Sequence, residues 1–352
     1  MAEPSATTHD LGSGDPEVPR SSERVIVAGA TGFAGALAAH LLWRHPRFEL
    51  VAVTGRSEVG TRLDELYPRY RVPLPIERLD VDRLDGIDAA VVAYPHAAAA
   101  PTVGEMRERG VRVVDLSADF RLESLATYEH WYGEHPRPGL LGEAVYGLTE
   151  LHRARIAAAG IVANPGCYPT AAVLGLAPLA RAGLIADVVI DAKQGISGAG
   201  RVFDETTHLS TAGENILPYN VACHRHTPEI EEQLGLLGAQ LAVQFQGHLV
   251  PLDQGELASC YVTPTRTVTA SELEEMYAGA YAHEPFVEVA ADPPGTREVR
   301  ETNFCRVFAA ADSHTGKVVV LSAIDNLWKG TSSQAVQNLN LMFGFPETEG
   351  LL

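Results

Sequence analysis

Cysteine is scarce in this chain: four among 352 residues, at positions 167, 223, 260 and 305, with no C-x-x-C and no paired spacing. That excludes a disulfide scaffold and a cysteine-rich zinc site, so no metal is expected, and it predicts a reducing, cytoplasmic setting. Long apolar runs are missing too. No run of roughly 18 or more apolar residues occurs, so no membrane-spanning helix is expected. Cations are outnumbered: 27 Lys and Arg against 45 Asp and Glu leave a formal charge of −18. That excludes a polyanion such as nucleic acid as partner. It says nothing against a small phosphorylated acidic substrate, which needs only a local cluster of cations. There is no internal repeat and no heptad pattern. Residues 1–22 lack the basic start and apolar core of a signal peptide, and their polar, Pro- and Ser-rich composition predicts a disordered tail.

What is present reads as a globular protein of two domains. The length exceeds that at which one core usually stops growing, and 46% hydrophobic with 20% charged residues suits a packed interior. Short apolar strands at 24–28, 48–54, 89–94 and 111–116 alternate with helical patterns at 31–44 and 97–109. Apolar strands alternating with helices mean a doubly wound parallel sheet. After position 167 the texture changes. Longer strands are expected at 187–192, 240–249, 256–264, 304–311 and 317–323, with helices at 228–236 and 271–281, hence an α+β domain around a mostly antiparallel sheet. A last helix is expected at 332–343.

Asn164-Pro165-Gly166-Cys167-Tyr168-Pro169-Thr170 puts a cysteine where a helix begins. Unpaired amides and the positive end of the helix dipole favour an anion there, so the thiol is expected to be more acidic than usual. Read alone, the context fits either a nucleophile or a buried structural cysteine.

Gly29-x-x-Gly32-x-x-Gly35 lies between the first strand and the first helix, an extended variant of the dinucleotide fingerprint. Thr31, Phe33 and Ala34 complete the loop that would cradle a pyrophosphate. At the end of the second strand stand Thr54-Gly55-Arg56-Ser57, with no carboxylate for ribose hydroxyls. Arg56 suits a 2′-phosphate, with Ser57 beside it, which favours NADP(H) over NAD. Arg121, after the strand at 111–116, offers a planar fork for phosphate, and Arg201, after a glycine turn, is a candidate clamp for an acidic substrate. His224-Arg225-His226 is read as supplying a general acid–base partner for Cys167 rather than a metal site. Asn326 can hydrogen-bond an amide through both donor and acceptor.

The residues Val162 to Ala171, with Gly175-Leu176 and Pro178, resemble the active-site signature of N-acetyl-γ-glutamyl-phosphate reductases, NADPH-dependent enzymes of arginine biosynthesis related to aspartate-semialdehyde dehydrogenases. The likeness extends to Gly29–Gly35, Ala118–Arg121, Ser197–Arg201, His224–Glu229 and Ile324–Gly330, over residues 24–350. It implies a Rossmann-like nucleotide domain at 23–165 and 325–352, discontinuous because the last helix returns to it, and a catalytic and dimerisation domain at 166–324. It also implies a homo-oligomer, dimer or tetramer. By resemblance, Cys167 attacks the acyl phosphate to give a thioester and Arg121 holds the departing phosphate. His224 is the acid–base and His226 binds substrate or orients its neighbour. Asn326 meets the nicotinamide. The roles of His96 and Arg225 stay open. Two rival readings are the same chemistry on a carrier-protein-linked glutamyl or aminoadipyl phosphate, and a non-catalytic NADP-binding regulator.

Overall fold

The computed structural model describes residues 22–201 and 205–352. The tail expected at 1–22 therefore lies outside the described residues, Ser22 excepted.

The first seven strands form one parallel sheet. They are β1 (Glu23–Ala28), β2 (Phe48–Thr54), β3 (Ile76–Glu77), β4 (Ala89–Val92), β5 (Arg112–Asp115), β6 (Ala144–Tyr146) and β7 (Ile161–Ala163), in the order β3-β2-β1-β4-β5-β7-β6. Every neighbouring pair is parallel. Between them run α1 (Phe33–Trp43), α2 (Leu63–Leu66), α3 (Ala99–Glu108), α4 (Leu125–Tyr132) and α5 (Thr149–Ala157). The sheet is covered on both faces. Val25 and Val27 of β1 join one apolar cluster with α1, while Ile26 and Ala28 join another with α3. Side chains alternate across a strand, so a strand buried on both sides must be apolar throughout.

Cys167 then opens α6 (Cys167–Arg181), and the second sheet follows. It holds β8 (Ile185–Gly195), β9 (Leu217–Tyr219), β10 (Gln244–Val250), β11 (Glu256–Pro264), β12 (Val287–Val289), β13 (Cys305–Ala311) and β14 (Val318–Ile324), with α7 (Leu209–Ala212), α8 (Thr227–Leu236) and α9 (Ala270–Tyr281) interspersed. The order is β12-β13-β14-β11-β8-β10-β9. The pairs β8–β11, β11–β14, β13–β14 and β9–β10 are antiparallel, and β8–β10 and β12–β13 parallel. Helices α6, α8 and α9 cover one face over a shared core. The chain is thus a Rossmann-like domain joined to an α+β domain.

The last helix, α10 (Ser333–Met342), returns to the first sheet. Its Ala335, Val336, Leu339 and Met342 pack in the cluster that holds α1 and β2. No described helix is long and apolar enough to cross a membrane.

Candidate active site

The glycine loop is built by steric necessity. Gly29 has φ +91°, and a Cβ there would sit 2.4 Å from the Ala93 carbonyl oxygen; a Cβ on Gly35 would sit 2.2 Å from the Gly29 oxygen. Gly32 differs. It caps α1 without any side-chain hydrogen bond, and the nearest atom to a Cβ there would be 3.8 Å away. Its open side and the unpaired amides at the head of α1 form a cradle that fits an anion. Gly32, Phe33, Ala34 and Gly35 line a cavity of about 260 Å³ together with Cys167, Gln194, Ser197, Gly198, Gly200, Arg201, Asn326 and Thr331. Nucleotide loop and nucleophile candidate therefore face one space. A larger groove of about 500 Å³ between α9 and β12–β13 is lined by Leu273, Tyr277, Val289 and Phe308 among others, with no thiol, histidine or lysine.

Cys167 is half-buried at the first position of α6. Gln194 of β8 donates to its Sγ at 3.1 Å. Gly330, in a wide turn spanning Trp328–Ser332, presses so close that a Cβ would meet the Cys167 Cβ at 2.9 Å. The expected acidity is corrected here. Burial, then the charge of Glu256, hold the Cys167 thiol well above its ordinary pKa; a hydrogen bond from the Tyr168 backbone and the charge of Arg121 oppose this only weakly.

Glu229, from the stretch after the histidine pair, organises the approach to the cysteine. It accepts from the Gly166 N–H at 2.8 Å, from the Tyr146 hydroxyl at 2.7 Å, and pairs with Arg121 at 3.4 Å. Arg121 is buried, and its remaining bonds run to the Asn164 and Leu116 carbonyls, both at 2.8 Å. The free phosphate fork expected of Arg121 is thus engaged inside the protein. It contributes charge beside Gly166, where a Cβ would lie 3.0 Å from its Nη1.

His224 is buried among Tyr168, Tyr219, His226 and Phe245. Its Nδ1 accepts from the His226 backbone N–H at 3.1 Å, which leaves the proton of the neutral ring on Nε2. Burial lowers its pKa to about 4, so the ring is neutral at neutral pH. His226 wedges against Gly166, where a Cβ would meet its Nε2 at 2.6 Å, and its buried Nδ1 lacks a protein partner. Burial first, then the charges of His224, Arg121 and His96, hold its pKa well down.

Asn326 lines the same cavity. Its side-chain oxygen accepts from Gly255 N–H at 2.8 Å and its amide nitrogen donates to Ser197 at 3.0 Å. These two bonds fix the amide in the cavity wall and leave it a second N–H and a second lone pair. Arg201, expected to clamp substrate, instead reaches Thr31 O and Glu58 Oε1, both at 3.4 Å, on the nucleotide side. Arg56 and Ser57 are exposed beyond β2, and the Arg56 guanidinium lies 4.9 Å over the Tyr94 ring. His96 braces two loops by accepting from Ala118 N–H at 3.1 Å, and Arg225 lies 5.4 Å over Tyr132. Sequence reading missed Gln194, Glu229 and Glu256. Only Glu229 carried a local signal, since it closes the His224-Arg-His-Thr-Pro-Glu229 run.

Among known proteins, residues 24–159 match the semialdehyde dehydrogenase NAD binding domain and residues 167–326 the semialdehyde dehydrogenase dimerisation domain. The chain is 50% identical over 340 residues to a Desulforudis audaxviator protein named N-acetyl-gamma-glutamyl-phosphate reductase, covering 94% of this chain and 98% of that one. A Moorella thermoacetica protein of the same name is 48% identical, over 92% of this chain and 96% of its own length. Among solved structures, the Vibrio cholerae aspartate semialdehyde dehydrogenase II complexed with ASA superposes with a TM-score of 0.71 at 18% identity, covering 92% of this chain and 99% of that one. The Candida albicans aspartate semialdehyde dehydrogenase with NADP gives 0.67 at 16%, over 92% and 99%. These two likenesses concern the fold.

Proposed function

We infer the reaction from kinship and site together: the chain belongs to the semialdehyde dehydrogenase family, among its N-acetyl-γ-glutamyl-phosphate reductases, and it reduces an acyl phosphate to an aldehyde with a nicotinamide cofactor. The substrate is N-acetyl-γ-glutamyl phosphate and the products are N-acetyl-L-glutamate 5-semialdehyde and phosphate, a step of arginine biosynthesis. The observation that carries this reading is the shared cavity, in which the thiol of Cys167 and the amides around Gly32–Gly35 face each other.

Cys167 Sγ attacks the acyl carbonyl, the carbon–oxygen bond to phosphate breaks, and a thioester remains on the sulfur. The phosphate leaves beside the positive head of α6, where Arg121 adds its charge. When bound, NADPH supplies the hydride that reduces the thioester carbon. The neutral His224 ring, with its proton on Nε2, has the form that donates a hydrogen bond to the resulting oxygen and steadies its charge. Backbone amides at the start of α6 add to that stabilisation. Collapse of the thiohemiacetal releases the semialdehyde and frees the sulfur.

NADP rather than NAD follows from Arg56, exposed where an NAD enzyme usually carries a carboxylate. A cytoplasmic homo-oligomer, dimer or tetramer, completes the reading; it is supported by the dimerisation-domain match and the unpaired cysteines.

The test is reduction of NADP⁺ by the purified protein with phosphate and a panel of semialdehydes. N-acetylglutamate semialdehyde should be turned over best. Preference for a carrier-linked substrate would replace the substrate assignment, and cofactor binding without turnover would make the chain a regulator. Arg56→Ala should lose about 1.5–3 kcal/mol of binding to NADPH, the scale of a charged hydrogen bond, and little to NADH. Equal losses with both cofactors would make Arg56 structural.

A further inference from the structure

The head of α6 is flanked on two sides. On one lies the cavity that holds the nucleotide loop, Gln194 and Asn326. On the other lies the loop that carries His224, Arg225 and His226, none of which lines that cavity. His226 wedges its Nε2 against Gly166, and both histidine rings meet the Tyr168 ring, with centroids 5.5 and 5.8 Å away. The loop arrives already bent, because Asn220 and Ala222 hold left-handed φ of +47° and +58°, a strain that the surroundings must sustain. Arg225 leaves it between the two histidines, its Cα about 3.8 Å from that of His226. Its guanidinium lies 5.4 Å over the ring of Tyr132, the last residue of α4, and the Tyr132 hydroxyl donates to the Arg225 carbonyl at 3.1 Å. One tyrosine of the nucleotide domain thus holds both the backbone and the head of this arginine. Tyr132 is itself stacked on Tyr128 at 5.0 Å and meets His96 edge-on at 5.3 Å.

The two arginines on this side are used differently. Arg121, the deeper one, spends Nε, Nη1 and Nη2 on the Asn164 carbonyl, Glu229 and the Leu116 carbonyl. Arg225 is exposed, and its guanidinium has no hydrogen bond or ion pair among the described residues. A ring beneath the fork restricts its motion without using any N–H. Such a fork is ready for a planar carboxylate, which it can bind through two parallel bonds. Its neighbours bring no charge of their own. Burial first holds the Tyr132 hydroxyl up, and burial first, then the charge of Arg121, pushes His96 down to about 4. Arg121 therefore supplies the positive charge at Gly166, and Arg225 supplies it at the rim. The buried Nδ1 of His226, without a protein partner, leaves this side a further polar atom for a ligand.

The substrate of the reaction inferred above carries an anionic group at each end. The phosphate sits on the reacting carbonyl, and the α-carboxylate stands three carbons beyond it. With the carbonyl at the sulfur, the phosphate falls beside the head of α6 and Arg121, and the carboxylate reaches outward. We propose that Arg225, held by Tyr132, binds the substrate's α-carboxylate and so selects aldehydes and acyl phosphates that carry one. The choice of substrate rests on the acyl-phosphate reductase reading. A carboxylate on the free fork leaves the stacking on Tyr132 undisturbed. It fixes the far end of the substrate while Cys167 meets the near end, which orients the carbonyl for attack.

4-Acetamidobutanal is N-acetylglutamate semialdehyde without its carboxylate. The ratio of kcat/KM for the two aldehydes, measured as NADP⁺ reduction with phosphate, therefore reads the clamp. The wild type should favour the carboxylate-bearing aldehyde by roughly 10–100-fold, the scale of a charged hydrogen bond. Arg225→Ala should bring the ratio close to one through a raised KM for that aldehyde, with the KM for phosphate held, and Arg225→Lys should fall between. A wild-type ratio in Arg225→Ala overturns the proposal, and a raised KM for phosphate beside it would give Arg225 to the phosphate instead. Equal losses with both aldehydes also overturn it, since they would make Arg225 structural. Should the wild type turn over neither aldehyde, the inferred reaction falls and binding judges the clamp. Calorimetric titration would then use N-acetyl-L-glutamate and 4-acetamidobutanoate, its counterpart without the α-carboxylate. Affinity lost in Arg225→Ala for N-acetyl-L-glutamate alone supports the clamp. Equal affinities in the two proteins, or no binding to the wild type, overturn it.

Discussion

Cys167 sits where a helix dipole favours an anion, yet its surroundings keep the proton on. Magnitudes decide the contest. A helix terminus is worth about 0.3–2 kcal/mol, about one pKa unit or a little more at best. Burial moves a group by up to about 3–5 units when it is complete, and the half-buried Cys167 feels part of that together with the charge of Glu256. Burial wins, so the resting thiol waits for a base rather than standing as a thiolate. Cys167→Ser should abolish turnover while fluorescence titration shows NADPH binding nearly intact; retention of more than about a hundredth of wild-type kcat would remove covalent catalysis. His224→Ala should lower kcat by roughly 10²–10⁴, and His226→Ala by less, because His226 mainly wedges against Gly166. Steady-state kinetics with the reverse order would exchange the two roles. Position 167 was legible because Asn-Pro-Gly before it and Pro-Thr after it mark a turn into a helix. Glu256 and Gln194 were not. Each is one polar residue at the end of an apolar strand, and what makes them functional is a cross-strand pairing over dozens of residues. The engagement of Arg121 was equally hidden, since its partner Glu229 lies in another domain of the sequence.

Helix α6 carries the cysteine, and it carries Pro178 in its interior. A proline there removes one helical N–H and leaves the carbonyl four residues earlier, Leu174, without its usual donor. The hydroxyl of the buried Tyr281, on α9, donates to that oxygen. Neighbouring Tyr277 donates to the Gly175 carbonyl at 2.7 Å. A helix broken in isolation is thus completed by its neighbour, and the stiffness that holds Cys167 against Gln194 and Gly330 depends on α9. Tyr281→Phe should lower the unfolding free energy by about 1–3 kcal/mol, the cost of orphaning one buried acceptor, measured by urea denaturation. An unchanged midpoint would show that Leu174 does not need the bond. The longer elements were readable from their pattern: α1 and α6 are apolar almost throughout, α9 sets Leu273, Tyr277 and Tyr281 at spacings of four, and β1, β8, β11 and β14 run in alternation or as unbroken apolar stretches. Strands β3, β6, β9 and β12 span two or three residues each. That is too short for any period, and they exist only because a longer strand lies alongside to pair with them.

The two sheets come together through Glu229 of α8, which reaches Arg121 and Tyr146, and through the chain's last thirty or so residues. The turn after β14 supplies Gly330 to the cysteine and Asn326 to the cavity wall, and Ser332 donates to the Ala34 carbonyl beside the glycine loop at 2.8 Å. Between them sits Lys329, fully buried, paired with Glu150 of α5 at 2.6 Å and bonded to Gln337 of α10 at 2.9 Å. This one ammonium ties the active-site turn to two helices of the nucleotide domain. A buried ion pair is weak evidence for net stability, because desolvating both charges offsets most of their attraction. Removing one partner is another matter, since it strands the other charge in the interior. Lys329→Met should therefore lower the unfolding free energy by about 3–5 kcal/mol, and should also disorder the Gly330 contact that seats Cys167, so that kcat falls with it. The double variant Lys329→Met with Glu150→Leu removes both charges and should recover much of the stability in denaturant melts. If it also regains the turnover lost by the single variant, the pair serves only to satisfy its own charges. If stability returns while kcat stays low, the ammonium is what holds the turn in register over the thiol, and the pair couples the nucleotide domain to the chemistry.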